Sequence, residues 1–182
     1  MKKIVRKDVY FEEPGEKNTQ EVLRAVLERM EETGIRTVLV ASTTGKTGLV
    51  FAKAMKGKAK LITISYEKVP DDIKKSIREL GAILLDKQPL PMKKRAAQEL
   101  KNALYAFGQG MKVCVEDAMI AVDAGVVEPY KDVISVAGTD SGADTAIIVR
   151  ATKLEERMSP DLNKRLEIRE IICMPRAKKW WD

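Results

Sequence analysis

Short apolar runs rich in β-branched residues alternate along the chain with amphipathic segments of helical length. The runs that predict strands are IRTVLVAS, KLITIS, AILLD, DVISVAG, TAIIVRA and LEIREIICMPR, which begin at residues 35, 60, 82, 132, 145 and 166. The first two are apolar enough for buried strands, whereas the last alternates and is typical of an exposed edge strand. Strands and helices in alternation predict a three-layer α/β domain with a mainly parallel sheet.

Glycines end the predicted helices. A capping box of Asn18 and Glu21 begins the first helix, and Gly34 ends it. Pro70 and Pro91 begin two further helices. The later helices end at Gly57, Gly81, Gly108 and Gly125. A chain of 182 residues organised in this way fits one domain, residues 1–182.

One loop has the composition of a phosphate-binding site. Ligands of open α/β sheets bind at the carboxyl ends of the strands, and STTGKT, residues 42–47, follows the first buried strand at the start of a helix. Backbone N–H groups and the helix dipole favour a phosphate there, and Lys46 adds a positive charge. The alternative is a hydroxyl-rich helix cap without a ligand.

The same loop ends like a nucleotide-binding P-loop, whose pattern is Gly-x4-Gly-Lys-Ser/Thr. Counting back from Gly45, the first glycine of that pattern would stand at position 40, where the chain has Val40. No clear Walker B carboxylate follows the second strand, which ends ITISYE. These two departures argue against a P-loop NTPase.

A second loop, residues 138–145, combines glycines with two carboxylates. Gly138 and Gly142 allow a close approach of the backbone to a ligand. Asp140 and Asp144 suit sugar hydroxyls and ring N–H donors better than a phosphate. We expect no dedicated metal site, although two carboxylates and a ligand phosphate can hold a magnesium ion. A tight turn without a ligand is the other alternative.

The chain contains no histidine, which excludes Ser-His-Asp and Cys-His catalysis and zinc sites with histidine ligands. Cys114 and Asp144 are then the first candidates for any group that titrates near neutral pH. Cys114 and Cys173 are predicted to be reduced and buried, and no secretion signal or membrane span is seen, so we expect a cytoplasmic location. Abundant Lys, Arg and Glu with few Asn and Gln are typical of a thermophile.

Three further features have candidate roles. Tyr66, after the second strand, either stacks on an aromatic ligand ring or lies on the surface. Glu116 and Asp117 either complement a helix dipole or, as the family resemblance given below implies, line the pocket. Trp180 and Trp181 lie beside basic residues and either pack on a neighbouring subunit or stack on RNA bases. We expect the first of these, and hence a homo-oligomer.

Four segments resemble the C-terminal domain of pyruvate kinase and its stand-alone archaeal relatives. They are VYFEEPGEKNTQEVL, STTGKTG, GMKVCVEDAMIAVDAGVV and GTDSGADTAIIVRA, and the resemblance covers nearly the entire chain. It implies a three-layer α/β/α fold with a mixed, mostly parallel sheet of about five strands, the last antiparallel. Gly48 stands where the family usually has alanine. The chain lacks the catalytic barrel of a pyruvate kinase, so the resemblance implies no kinase activity.

The stand-alone relatives are associated with flavin mononucleotide, so the resemblance implies this cofactor, with its phosphate at residues 42–47. The residues expected to bind it are Ser42, Thr43, Thr44, Gly45, Lys46, Thr47, Tyr66, Glu116, Gly138, Thr139, Asp140, Gly142, Ala143, Asp144 and Thr145. A domain that senses a sugar phosphate is an alternative, because the equivalent loop of full-length pyruvate kinases can hold such an effector. A nucleic-acid-binding protein is a third hypothesis, based on the net charge of +6 and the aromatic tail.

Overall fold

Every apolar run that the sequence predicts as a strand lies in one mixed sheet of seven strands. The computed structural model describes residues 3–179, so Trp180 and Trp181, with the subunit contact predicted for them, lie outside the described residues. The strands are β1 (Val9–Phe11), β2 (Thr37–Ala41), β3 (Lys60–Ile64), β4 (Ile83–Leu85), β5 (Asp132–Ala137), β6 (Thr145–Arg150) and β7 (Glu167–Pro175).

Five α-helices are found within residues 3–179. They are α1 (Thr19–Thr33), α2 (Lys46–Met55), α3 (Asp71–Glu79), α4 (Gln98–Tyr105) and α5 (Gln109–Asp123). Short 3-10 helices cover Glu16–Asn18, Pro91–Lys93, Arg95–Ala97 and Leu154–Glu156. None of the helices in this part of the chain has the length and apolar content needed to cross a bilayer.

The sheet has the strand order β1-β7-β6-β5-β2-β3-β4. Strands β4, β3, β2 and β5 are parallel to one another, and β6 pairs antiparallel with β5. Strands β2 to β6 form a mixed, mostly parallel set in which β6 is antiparallel, and the expected α/β fold class is confirmed. The described sheet has seven strands where about five were expected, and its antiparallel strand β6 is not the last one in the chain. Strands β7 and β1 extend this set beyond β6.

The prediction of an exposed edge is wrong for the second half of β7. Strand β1 pairs with it in parallel, with Val9 opposite Cys173 and Phe11 opposite Pro175. The three residues of β1 are too short a run to show a strand period, so the sequence gives no sign of this pairing. Over residues 167–172, no further strand of the described chain pairs with that side of β7.

Helices pack on both faces of the sheet because the central strands are apolar on both sides. Along β2, Val38 and Val40 face the cluster formed with α1, α2 and α3, whereas Leu39 faces the cluster formed with α4 and α5. Phe51 is fully buried in the first cluster and Met111 in the second. The result is the three-layer arrangement expected from the sequence.

Two predicted helix starts differ from the structure. The Asn18 side chain does not cap α1, because Asn18 lies in a 3-10 turn and its Nδ2 donates to the carbonyl oxygen of Glu13. The helix predicted to run on from Pro91 is interrupted at Lys94, whose extended backbone (ψ 140°) separates two 3-10 turns. Regular α-helix begins only at Gln98.

Candidate functional site

A cleft opens where two neighbouring parallel strands are connected to opposite faces of the sheet. Strands β2 and β5 are paired in parallel, but the chain leaves β2 through α2 on one face and reaches β5 through α5 on the other. The loops after the two strands therefore separate, and such a point is where open α/β sheets bind ligands. The cleft has a volume of about 670 Å³, within the range of about 300–1,000 Å³ that is usual for ligand pockets.

The loop of residues 42–47 is held in one conformation. Gly45 has a left-handed backbone with φ 81°, and a Cβ there would collide with Val69 and Ile73. The N–H of Gly45 donates to the carbonyl oxygen of Ser42 at 3.1 Å, and the N–H of Gly48 donates to Ser42 Oγ at 3.1 Å.

This loop presents hydroxyl groups, N–H groups and one lysine to the cleft. The lining residues are Ser42, Thr43, Thr44, Lys46 and Thr47. The first N–H groups of a helix have no partner within it, and those of Lys46 and Thr47 have no protein acceptor among residues 3–179. Val40 lies inside β2, opposite Thr63 and Val136, as expected from the missing P-loop glycine.

Helix α5 supplies one wall of the cleft through a stripe of side chains three or four residues apart. The stripe consists of Gln109, Lys112, Val113, Glu116, Asp117 and Ile120. Lys112 and Glu116 form an ion pair of 2.5 Å, and both are buried. Glu116 also accepts a hydrogen bond of 2.9 Å from the backbone N–H of Met92. Both of its oxygens therefore have partners from the protein.

Asp117, next to Glu116 on α5, has one carboxyl oxygen without a hydrogen-bond partner from the described protein. The residue is 4% exposed, and its Oδ2 is buried with no hydrogen-bond partner among residues 3–179. Burial raises the pKa of Asp117 well above the ordinary value, the charge of Glu116 raises it further, and Lys112 opposes both. The Oε1 atom of Gln109, at the start of the same stripe, is also buried without a partner in the described chain.

The second loop contributes only part of the predicted set to the cleft. Gly138, Asp140 and Gly142 line the cleft together with Ser141. A Cβ at Gly138 would collide with the backbone of Gly142, so the turn closes on itself. A Cβ at Gly142 would collide with Glu16 and Thr19, so both glycines allow close approach to protein atoms.

The other predicted residues of this loop are buried behind the cleft and do not line it. They are Thr139, Ala143, Asp144 and Thr145. The carboxylate of Asp144 accepts from the N–H groups of Gly15 and Thr139, both at 2.9 Å, and from Thr145 Oγ1 at 2.7 Å. The N–H of Ala143 donates to Thr19 Oγ1 at 3.0 Å. Asp144 thus holds the loop in place and is not directed at the cleft.

Several lining residues were not predicted from the sequence. Tyr66, 50% exposed at the end of β3, was predicted and lines the cleft. The residues that were missed include Glu16, Leu90, Met92, Lys93, Lys101, Tyr105, Gln109 and Lys112. The helical spacing of the α5 stripe could have indicated its members once Glu116 was chosen. Lys93 ends a 3-10 turn and Tyr105 ends α4, and only the tertiary fold brings them to the cleft.

The cysteines lie outside the cleft lining. Cys114 is fully buried, and burial raises the pKa of its thiol well above the ordinary value. The prediction that Cys114 is a candidate for a group that titrates near neutral pH is therefore wrong. Burial also raises the pKa of Cys173 to about 12. Within residues 3–179, no group of three or more His, Cys, Asp or Glu residues is placed so that it could hold a metal ion.

The fold and the cleft define an open α/β domain whose candidate ligand site lies at the switch point of its sheet. The model of the family described as pyruvate kinase, alpha/beta domain, matches residues 20–149, and the chain belongs to this family. The match runs from α1 to β6 and includes both cleft loops and α5. The resemblance to the C-terminal domain of pyruvate kinase is thereby confirmed.

Proposed function

We propose that the protein binds a phosphorylated small ligand, flavin mononucleotide, with its phosphate at residues 42–47. The observation that carries this proposal is the start of α2, where hydroxyl groups, Lys46 and the N–H groups of Lys46 and Thr47 meet the cleft. Such a helix start favours an anion through its N–H groups and its dipole. The bound flavin would supply a redox-active ring system.

The rest of the cleft suits an aromatic ring. Apolar side chains line it beyond the phosphate loop, namely Ala41, Ile64, Leu90, Met92, Val113 and Ile120. Ligand pockets are mostly apolar with a few polar groups that orient the ligand. Tyr66 at the rim can stack on the face of a ring.

The two alternative functions fit the cleft less well. A sugar phosphate has no aromatic ring to cover the apolar wall of the cleft, which it would leave exposed to water. For a nucleic acid, a basic stripe would be needed. The lysines of the cleft, Lys46, Lys93, Lys101 and Lys112, lie among the acidic residues Glu16, Glu116 and Asp140 and do not form such a stripe.

The test compares flavin mononucleotide with riboflavin, which lacks the phosphate. Both ligands are titrated by fluorescence against the wild type and Lys46→Ala. A hydrogen bond to a charged group contributes about 1.5–3 kcal/mol, so the mononucleotide should bind about ten-fold more weakly to the variant. Riboflavin binding should change little. Because the comparison is a double cycle, a general loss of stability cancels.

Lys53→Ala is the matched control, because Lys53 lies exposed on the same helix and outside the cleft lining. It should leave the affinity for both ligands unchanged. If Lys46→Ala lowers the affinity for riboflavin as much as the affinity for flavin mononucleotide, the phosphate does not bind at residues 42–47. A wild-type protein that binds neither flavin at micromolar concentration, a threshold of about 8 kcal/mol, would refute the proposed ligand.

A further inference from the structure

We propose that Asp117 binds the ring end of the ligand, with its carboxyl group donating a hydrogen bond to an acceptor atom of the ring. This inference rests on the proposed function and extends it from the phosphate to the ring. It assigns ring recognition to α5 and phosphate binding to the loop before α2. The matching ligand class is a heteroaromatic ring that carries a carbonyl oxygen or an unprotonated ring nitrogen.

The first argument is the unpartnered oxygen of Asp117. Buried carboxyl oxygens almost always have a hydrogen-bond partner, yet Oδ2 of this 4% exposed residue has none among residues 3–179. The other buried aspartate, Asp144, accepts three hydrogen bonds from the protein and does not line the cleft. Asp117 does line the cleft, so a ligand in the cleft can supply the missing partner.

The second argument is the apolar character of the surroundings. Val113 and Ile120, about one turn to either side of Asp117 on α5, line the same wall. Ile64 and Ala41, at the ends of β3 and β2, line the cleft as well. A ring packed between these side chains would be anchored by Asp117 as a single polar contact. This is the usual composition of a ring-binding pocket.

The third argument concerns the proton on Asp117. Burial and the neighbouring Glu116 carboxylate raise the pKa of Asp117 well above the ordinary value. Lys112 lowers it, but the ammonium group of Lys112 is already paired with Glu116 at 2.5 Å. The raised pKa favours the protonated form of the carboxyl group, which carries an O–H donor.

Binding through a protonated carboxyl group makes the affinity depend on pH in one direction. The affinity stays constant below the pKa of Asp117 in the free protein and falls by up to ten-fold per pH unit above it. Other charged or titratable groups also face the cleft or lie beside Asp117, and they are Glu16, Lys46, Tyr66, Lys93, Lys101, Tyr105, Lys112, Cys114, Glu116 and Asp140. Their contributions are shared by the wild type and the variants, so the difference between them isolates Asp117.

The test measures riboflavin and flavin mononucleotide binding to Asp117→Ala and Asp117→Asn as a function of pH. Asp117→Ala should lower the affinity for both ligands equally, by about ten-fold or more. The acceptor atom of the ring then has no hydrogen-bond donor in a buried site. The asparagine side chain donates an N–H. Asp117→Asn should therefore restore most of the affinity and remove the fall at high pH.

Two controls keep the test independent of folding and of the phosphate. Asp123→Asn, an exposed residue on the same helix, should leave the affinity of both ligands and its pH dependence unchanged. Infrared difference spectra of the ligand-free wild type and Asp117→Asn should show the carbonyl band of a protonated carboxyl group only in the wild type. Absence of that band would overturn the inference without any ligand.

The binding data separate this inference from the proposed function. If flavin binds to the wild type but Asp117→Asn is as weak as Asp117→Ala, the ligand needs a carboxylate acceptor and the inference is wrong. If neither variant changes the affinity, Asp117 does not contact the ring. If the wild type binds neither flavin, both the proposed ligand and this inference fail.

Discussion

The carboxylate of Glu116 accepts a hydrogen bond of 2.9 Å from the backbone N–H of Met92 and so ties α5 to the 3-10 turn Pro91–Lys93. The other oxygen of Glu116 pairs with Lys112 at 2.5 Å. Because Glu116 is 1% exposed and Lys112 is 8% exposed, neither charge can be hydrated if its partner is lost. The pair therefore holds the cleft wall in shape, while Oδ2 of the adjacent Asp117 has no hydrogen-bond partner within residues 3–179.

Breaking this ion pair should destabilise the protein far more than removing it whole. Glu116→Leu leaves the Lys112 ammonium group buried without a partner, and Lys112→Met does the same to the Glu116 carboxylate. Each single change should lower the free energy of unfolding by about 3 kcal/mol, and the double variant should regain most of that loss. Urea denaturation measures all four proteins. Losses that simply add in the double variant would contradict a coupled pair.

Removal of the Asp144 carboxyl group should disorder the second cleft loop. Asp144→Ala leaves the N–H groups of Gly15 and Thr139 without an acceptor, so it should cost about 3 kcal/mol or more of unfolding free energy. In Asp144→Asn, the amide oxygen can still accept both N–H groups while its NH₂ group donates to Thr145 Oγ1. The asparagine variant should therefore lose only about 1 kcal/mol.

Urea denaturation distinguishes the two Asp144 variants, and riboflavin binding adds a second measurement. Asp144 does not line the cleft, so any loss of affinity should follow the loss of loop order and not the loss of charge. Asp140→Asn is the control, because Asp140 is exposed on the same loop and lines the cleft. Its effect on stability should be within about 0.5 kcal/mol. Equal destabilisation by the asparagine and alanine substitutions at Asp144 would refute this account.

Local pattern was sufficient to predict the layers of this fold. Val38, Leu39 and Val40 of β2 are all apolar and point in turn to opposite faces of the sheet, so the strand is covered on both faces. This continuous apolar run is visible in the sequence. The short strand β1 could not be predicted, because its three residues acquire strand geometry only by pairing with β7 more than 160 positions away. Tertiary pairing, and not propensity, determines such an element.

The sequence predicted the part of the candidate site that is formed by one continuous segment. It did not predict the parts that depend on contacts between segments far apart in the chain. The loop of residues 42–47 follows directly from a strand that leads into a helix. The orientation of Asp144 depends on the N–H of Gly15, 129 residues away, and a sequence pattern does not contain that contact. The exceptional state of Asp117 depends likewise on burial beside Glu116, which its helical position alone does not reveal.

The two cysteines should resist thiol reagents and should make the protein unstable in alkali. The pKa of Cys173 rises from an ordinary 9.0 to about 12 on burial, and burial raises the pKa of Cys114 as well. A raised pKa in the folded state means that stability is intact below pH 9.0 and falls as the pH rises towards 12. Each thiol should contribute a fall of up to about 1.4 kcal/mol per pH unit over this interval.

The alkaline effect is checked by urea denaturation of the wild type and of the Cys114→Ala, Cys173→Ala double variant. Other groups that titrate in alkali are common to both proteins, so a shallower decline in the variant isolates the thiols. Neither thiol should react with a disulfide reagent at neutral pH until the protein unfolds, because both residues are 0% exposed. Rapid reaction of either thiol with the disulfide reagent in the native protein would show that Cys114 or Cys173 is not buried.

Gly48 and Thr63 should be coupled through their contact between α2 and β3. A Cβ at position 48 would collide with Cγ2 and Oγ1 of Thr63, which is fully buried. Gly48→Ala should therefore lower the free energy of unfolding by about 1–3 kcal/mol, although alanine is the better helix former by about 1 kcal/mol. It should also weaken flavin mononucleotide binding, because the N–H of Gly48 positions Ser42 Oγ in the phosphate loop.

Thr63→Ala removes both colliding atoms, so the Gly48→Ala, Thr63→Ala double variant should be more stable than Gly48→Ala alone. The hydroxyl group of Thr63 has no hydrogen-bond partner among residues 3–179, so its removal breaks no hydrogen bond. Thr63→Ala by itself should cost only the methyl group that it removes from the core, about 1 kcal/mol. Urea denaturation of the four proteins gives the coupling free energy. A coupling free energy close to zero would mean that α2 can move away from β3 without a loss of stability. The geometry of residues 42–47 would then depend on Gly45 and its close approach to Val69 and Ile73.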